Sequence, residues 1–321
     1  MIKSVTDLAP FLADEIKAQA FIRDLRWPEG VRCAFCDHSK VYALKGYVAK
    51  KTKDGQESNA APRLQWKCGK CGHKFSVTSK SIFEGSHVKL GHWIYAIFQM
   101  CSSKKGVSAN QLCRELNIHY RSAHFLCHRV REAMKREPLA GMLGKDGGIV
   151  ELDETYVGGK AGNNLHRNKG PKATRKEAVM TIIERDGDVK SVHVQNVRKG
   201  TLQKLAKPIV DRSANIMTDA HLSYDGLDQH FHSHHVVDHS KHFVRGIIIH
   251  TNFAESYHSL LKRAIIGTFH HVSDKHLHRY LSEFDYRWNT RKDRDGDRTE
   301  AVIKAAPNKR LTYRTGENPQ I

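Results

Sequence analysis

The chain has 321 residues, with 53 lysines and arginines against 34 aspartates and glutamates, a formal net charge of +19 and 22 histidines. This length allows two or three domains and at least one substantial core, and the charge points to a polyanionic partner, nucleic acid first, without selecting an activity. The absence of a run of about 18 apolar residues, and of a basic, apolar and small-residue order at the N-terminus, argues against a membrane helix and a secretory leader; a soluble protein of the cytosol, nucleoid-associated, is expected.

Residues 1–30 form a helical lead-in with an amphipathic pattern (Leu12, Ile16, Ala20, Ile22, Leu25) that stops at Trp27-Pro28-Glu29-Gly30. Residues 31–80 hold two Cys-x-x-Cys pairs, Cys33/Cys36 and Cys68/Cys71, the spacing that lets both thiolates of a knuckle reach one tetrahedral ion. A structural Zn²⁺ bound by all four is expected. The strand-like stretches Val41-Tyr42 and Leu64 to Lys67 flank a lysine-rich segment at 49–60, as in a zinc ribbon with a long hairpin. Lysines around the second knuckle suit a phosphate-contacting surface or a merely solvated one. Cys101, Cys113 and Cys127 sit in helix-like patterns and read as small buried hydrophobes.

Residues 88–137 read as a helix from Leu90, a second from Ser108 to Leu116, a turn at 117–119 and a third from Tyr120 to Met134. That is the layout of a helix-turn-helix, with Arg121 and Arg129 as DNA contacts, although any small helical bundle shares the turn length. Pro138 to Gly148 reads as a linker.

In residues 149–292, Ile149 to Val157 is a strand that places Asp153 on the side of Glu151 and Thr155, opposite Val150 and Leu152. A basic, glycine-rich loop at 158–176 precedes a hairpin of 178–184 and 189–194 about Asp186-Gly187. A helix at 201–211 and a short strand, Asn215 to Asp219, follow. The histidine-rich stretch 229–242 reads as a surface loop. From His250 to Arg263 a helix buries Phe253, Tyr257, Leu260 and Leu261 and presents Glu255, Ser259 and Lys262. Asn252 with Glu255 also fits a capping box, which would make Glu255 a helix-start residue. A last amphipathic helix spans 275–290, and residues 293–321 form a polar, loosely held tail.

Asp153, Asp219 and Glu255 thus stand on two strands and a helix, and three acids brought together suit two Mg²⁺ ions, with Mn²⁺ as a substitute, in phosphodiester chemistry. With this element order the chain resembles the RNase-H-like core of DDE transposases and integrases. The phrases Trp27-Pro-Glu-Gly30, Phe75-Ser-Val-Thr78, Val150-Glu-Leu-Asp-Glu-Thr-Tyr-Val-Gly-Gly159 and His250-Thr-Asn-Phe-Ala-Glu255 with Lys262-Arg263 resemble bacterial insertion-sequence transposases with an N-terminal zinc ribbon. The resemblance implies a multidomain α+β and α/β chain made of a zinc ribbon, a helix-turn-helix region and an RNase-H-like mixed sheet with flanking helices. It also implies metal ligation by Asp153, Asp219 and Glu255, DNA contact by Lys262 and zinc at the four cysteines. Glu154 is the alternative to Asp153, turned to the opposite face by strand alternation. Asn252 is the alternative third residue in some relatives, with Glu255 preferred for its seven-residue step to Lys262. The activity implied is Mg²⁺-dependent cleavage and strand transfer at element ends, on double-stranded DNA and target, by a homo-oligomer. A non-enzymatic DNA-binding regulator or a nuclease on the same fold are the alternatives.

Overall fold

The structure, a computed structural model, describes residues 2–44, 63–136, 141–158, 176–237 and 250–312. The chain divides into two compact units, Met1–Met134 with Lys292–Ile321, and Lys135–Arg291. Among the described residues no helix is long and apolar enough to cross a membrane.

The first unit opens with α1 (Ala9–Ala13) and α2 (Glu15–Arg26). Asp14 caps α2, its carboxylate accepting from the N–H of Ile16 (2.8 Å) and Lys17 (3.3 Å), and the helix ends at Arg26, before the Trp27-Pro28 step disfavours another turn. Strands β1 (Val41–Leu44), β2 (Gln65–Cys68) and β3 (Lys74–Ser76) form an antiparallel sheet in that order. Trp66 lies across from Phe75 with ring centroids 6.0 Å apart, and Trp27 meets both rings edge-on, giving the small sheet an aromatic core. The lysine-rich segment at 49–60 lies outside the described residues. Helices α3 (Leu90–Ser102), α4 (Ala109–Glu115) and α5 (Tyr120–Met134) follow. Ser108 caps α4 through the Gln111 N–H, and Asn117 takes the left-handed conformation (φ 49°) in the short turn before α5.

The second unit is built on a five-stranded mixed sheet ordered β6-β5-β4-β7-β8: β4 (Ile149–Val157), β5 (Glu177–Glu184), β6 (Val189–Val194), β7 (Asn215–Asp219) and β8 (Ser233–Val237). β4, β5 and β6 pair antiparallel, the expected hairpin turning at Asp186 (φ 57°), whereas β4, β7 and β8 run parallel. Between β6 and β7 lies α6 (Lys199–Ala206), shorter than its periodicity predicts; Pro208 has no N–H to give the Lys204 carbonyl, so the helix cannot continue. Helices α7 (Asn252–Ala264) and α8 (Asp274–Asn289) complete the unit. One face of the sheet packs Val150, Leu152, Met180 and Ile216 against Leu202 and Ala206 of α6 and against Tyr224. The other packs Val157, Val179 and Ile183 against Tyr257, Leu261, Leu281 and Phe284 of α7 and α8.

Three expectations are corrected. The linker read at 138–148 is partly core: Leu143 is buried and exchanges backbone hydrogen bonds with Ile209 and Asp211, and Gly144 (φ 77°) has no room for a Cβ beside Ala214 and Val150. The histidine-rich stretch is not a loop throughout, since His234 and His235 lie in β8, paired with β7; His239 and His242 lie outside the described residues, as does most of the loop at 158–176. Residues 313–321 lie outside the described residues, but from Lys292 to residue 312 the chain is not a loose tail. There the chain rejoins the first unit as α9 (Asp295–Lys304), burying Val302 and Ile303 against α2, α3 and α5, with Gly296 allowing close approach to the Ile2 carbonyl. Two polar turns of sequence hid one apolar face.

Candidate functional site

Cys33, Cys36, Cys68 and Cys71 bring their sulfurs within 4.8 Å of one another, with Cys33–Cys71 and Cys36–Cys68 each at 3.6 Å. Four sulfurs about 2.3 Å from a tetrahedral zinc ion stand about 3.8 Å apart, so the set fits Zn²⁺ without rearrangement. Each knuckle turns its backbone toward sulfur: the Phe35 N–H points at Cys33 (3.4 Å) and the Lys70 N–H at Cys68 (3.3 Å). The Cys71 N–H, chief among several donors, draws the Cys68 thiol down to about 6. At Cys71 the His73 N–H pulls downward, but burial and the other three sulfurs together push the thiol up to about 12. Phe35, exposed beside the knuckle, stacks on His73 and lies under the Lys80 ammonium.

In the second unit Asp219 ends β7, and Asp153 sits mid-way along the adjacent strand β4, one residue past its parallel pairing with β7. Leu152 is in register with Thr218, and each acid is the next residue along. Asp153 lies on the α7 side, its Oδ2 3.4 Å from His258 Nδ1, while His258 Nε2 is 2.9 Å from Thr181 Oγ1, the β5 residue in register with Asp153. Buried His258 therefore ties α7 to the Asp153 position. Glu154 faces the other way, as alternation predicts: its Oε2 accepts from Tyr224 Oη at 2.5 Å, and its Oε1 is 3.6 Å from His221 Nδ1. Burial holds the Glu154 carboxyl above its ordinary range, opposed by the Tyr224 hydrogen bond and reinforced by Asp219 and Asp153.

Glu255 lies exposed in the first turn of α7, and Lys262 and Arg263 are exposed toward its end. The capping-box reading does not describe this helix. Thr251 is the N-cap and makes no side-chain cap, Asn252 is already helical, and its N–H faces His250 Nδ1 at 3.4 Å. The cap comes from β4: Glu151, fully buried, accepts from the N–H of Phe253 (2.9 Å) and Ala254 (3.0 Å). Sequence reasoning missed Glu151, His258 and Tyr224. For His258 a signal existed, its place one turn beyond Glu255; the other two meet partners about 70 to 100 residues away, where no local pattern reaches. Among the described residues the four cysteines are the one group of three or more potential ligands gathered within 4.8 Å, so the three acids stand farther apart than the sulfurs.

The helix-turn-helix arginines separate. Arg121 is exposed at the start of α5. Arg129, expected on DNA, is buried instead: its guanidinium donates to the carbonyls of Glu84 (2.6 Å) and Leu311 (3.3 Å) and lies 4.7 Å over the Phe125 ring. Helical periodicity puts it on the α5 face that also buries Leu126 and Val130, and α9 and the residues after it close over that face.

Residues 13–74 match the transposase zinc-ribbon domain family, and residues 145–289 match the ISXO2-like transposase domain family. A protein of transposable element ISH50 from Halobacterium salinarum is 25% identical over 291 residues, covering 85% of this chain and 90% of that protein. Among solved structures, the Mos1 strand transfer complex and a pre-cleavage Mos1 transpososome each align with a TM-score of 0.24 at 13% identity, over 63% and 61% of this chain and 74% and 73% of theirs. A transposase zinc-ribbon domain and an ISXO2-like transposase domain are thus matched one after the other in this chain, in the order that the sequence motifs imply.

Proposed function

We propose that this transposase binds the ends of its insertion sequence and catalyses Mg²⁺-dependent strand cleavage and strand transfer, with Asp153, Asp219 and Glu255 as the metal-binding carboxylates. The observation that carries this reading is the register of β4 and β7, which sets Asp153, in the middle of β4 just past its parallel pairing, next to Asp219 at the carboxyl end of β7. Open α/β sheets bind ligands outside such ends. Hard carboxylate oxygens are the donors Mg²⁺ prefers, and two bound ions would activate the attacking oxygen and stabilise the leaving one in an in-line displacement.

The chain's own groups do the rest. His258 orients Asp153, and Lys262 and Arg263 offer cations to the DNA backbone along the exposed side of α7. In the first step water forms a bond to phosphorus and the P–O3′ bond breaks, the proton ending on the freed 3′ oxygen. In the second, that 3′ hydroxyl forms the new bond to a target phosphorus and a target 3′ oxygen leaves with the proton. Arg121 and the basic ribbon supply end contacts, and the active assembly is a homo-oligomer on DNA.

The test is a Mg²⁺-dependent cleavage and joining assay on element ends. Asp153→Asn, Asp219→Asn and Glu255→Gln should each fold, bind DNA and fail to cleave or join. Robust joining by Asp219→Asn would refute the carboxylate assignment, and cleavage without joining by the wild type would make the protein a nuclease.

A further inference from the structure

Strand β4 carries three acids within four residues, and only the middle one, Asp153, has a role so far. Its neighbours are engaged on opposite faces. Glu151 Oε2 accepts from the Phe253 and Ala254 N–H groups of α7, while its Oε1 accepts from Arg185 Nε (2.8 Å) and lies 3.3 Å from His250 Nδ1. Arg185 also reaches the His250 carbonyl at 2.8 Å. Glu255 follows Ala254 directly, so the backbone carrying Glu255 is fastened to the strand carrying Asp153. On the other face, Glu154 holds the buried Tyr224 hydroxyl, and the segment it holds begins at Asp219, whose Oδ1 accepts from the His221 N–H at 3.2 Å.

We propose that Glu151 and Glu154 are positioning residues that set the spacing of the three metal-binding carboxylates, Glu151 by pinning the first turn of α7 and Glu154 by pinning the segment after β7. The proposal rests on the reading of Asp153, Asp219 and Glu255 as those carboxylates. Period-two alternation makes the arrangement possible: one strand reaches both layers with adjacent acids and keeps Asp153 between them. Stability alone does not favour it. A helix start can be capped by Ser, Thr or Asn of the same segment, whereas Glu151 is a buried charge that needs Arg185 to balance it and the Glu154 carboxyl is raised by burial and by its neighbours Asp219 and Asp153. Mg²⁺ demands near-ideal octahedral geometry, so the placement of Glu255 and Asp219 relative to Asp153 is where such fastening matters. Losing the groups that orient metal ligands typically weakens metal binding about 10–100-fold.

The test uses the full-length protein with Mn²⁺ as the probe, its binding read by electron paramagnetic resonance and the Mg²⁺ half-saturation of end cleavage read in parallel. Glu151→Gln, Glu154→Gln and Tyr224→Phe should each raise both half-saturation points about tenfold or more and leave DNA affinity at the wild-type value. Tyr224→Phe removes one hydroxyl and keeps the ring packed, so it stays informative if Glu151→Gln fails to fold. Wild-type Mn²⁺ and Mg²⁺ half-saturation in Glu154→Gln and Tyr224→Phe, with only a lower melting temperature, overturns the proposal. If Asp153→Asn, Asp219→Asn and Glu255→Gln, run alongside, bind Mn²⁺ as the wild type does, the carboxylate assignment falls and the positioning roles fall with it.

Discussion

Arg129→Ala separates a structural arginine from a DNA-reading one on the same helix. The guanidinium donates to two backbone carbonyls, Glu84 at 2.6 Å and Leu311 at 3.3 Å, and covers the Phe125 ring. Hydrogen bonds from a charged donor contribute about 1.5–3 kcal/mol each, and a desolvated cation–π contact about 1 kcal/mol more. Part of this is offset because truncation also removes a buried charge; burial, with Arg310 adding, already pulls the Arg129 pKa down. A net loss of about 3 kcal/mol is expected, the two carbonyls being left without their donor. For a unit of this size that lowers the melting temperature by roughly 6–12 °C. Arg121→Ala, exposed, should leave melting unchanged and weaken binding to element ends. The assay pairs thermal unfolding with fluorescence anisotropy on end DNA, measured well below either transition. An Arg129→Ala protein that melts like the wild type yet loses DNA affinity would refute the reasoning, because Arg129 would then have to reach the DNA.

Zinc removal by a chelator, or Cys33→Ser, should unfold the ribbon and leave the melting of the second unit in place; purified protein without zinc would contradict this. Burial pushes Asp285 up to about 6 despite hydrogen bonds from Ser191 and Tyr257. A carboxyl whose folded pKa lies above its unfolded one adds stability below about pH 4 and loses it as the pH rises through about 6, here up to about 3 kcal/mol. Urea unfolding should therefore show the wild type losing stability relative to Asp285→Asn between pH 4 and 7, and parallel profiles would count against it. This difference also removes the opposite contribution of His278, which burial lowers to about 4. DNA affinity should fall steeply between about 50 and 200 mM salt, as expected when many phosphates are neutralised; equal affinity at both would exclude phosphate contact as the main attraction.

Much of the site was legible in one dimension because its signals are local. Paired knuckles need only a two-residue spacing, and the four sulfurs do converge. Alternation along Val150-Glu-Leu-Asp-Glu154 correctly sent Asp153 and Glu154 to opposite faces, since a strand's period of two does not depend on what covers it. The Asp186-Gly187 hairpin and the span of β7 follow from the same short-range rules.

What tertiary structure decided is which polar groups lose water and to whom. Asn252 and Glu255 spell a capping box, yet Glu151 takes the first amides of α7 because the fold brings β4 to them. Arg129 looks like part of a basic face, yet α9 returns from the end of the chain and the carbonyl of Leu311 closes over it. Those partners lie about 100 and 180 residues away in sequence. A charge, read alone, does not reveal whether it faces solvent, DNA or a buried carbonyl; the long-range contact sets the desolvation and the hydrogen bonds that choose among them.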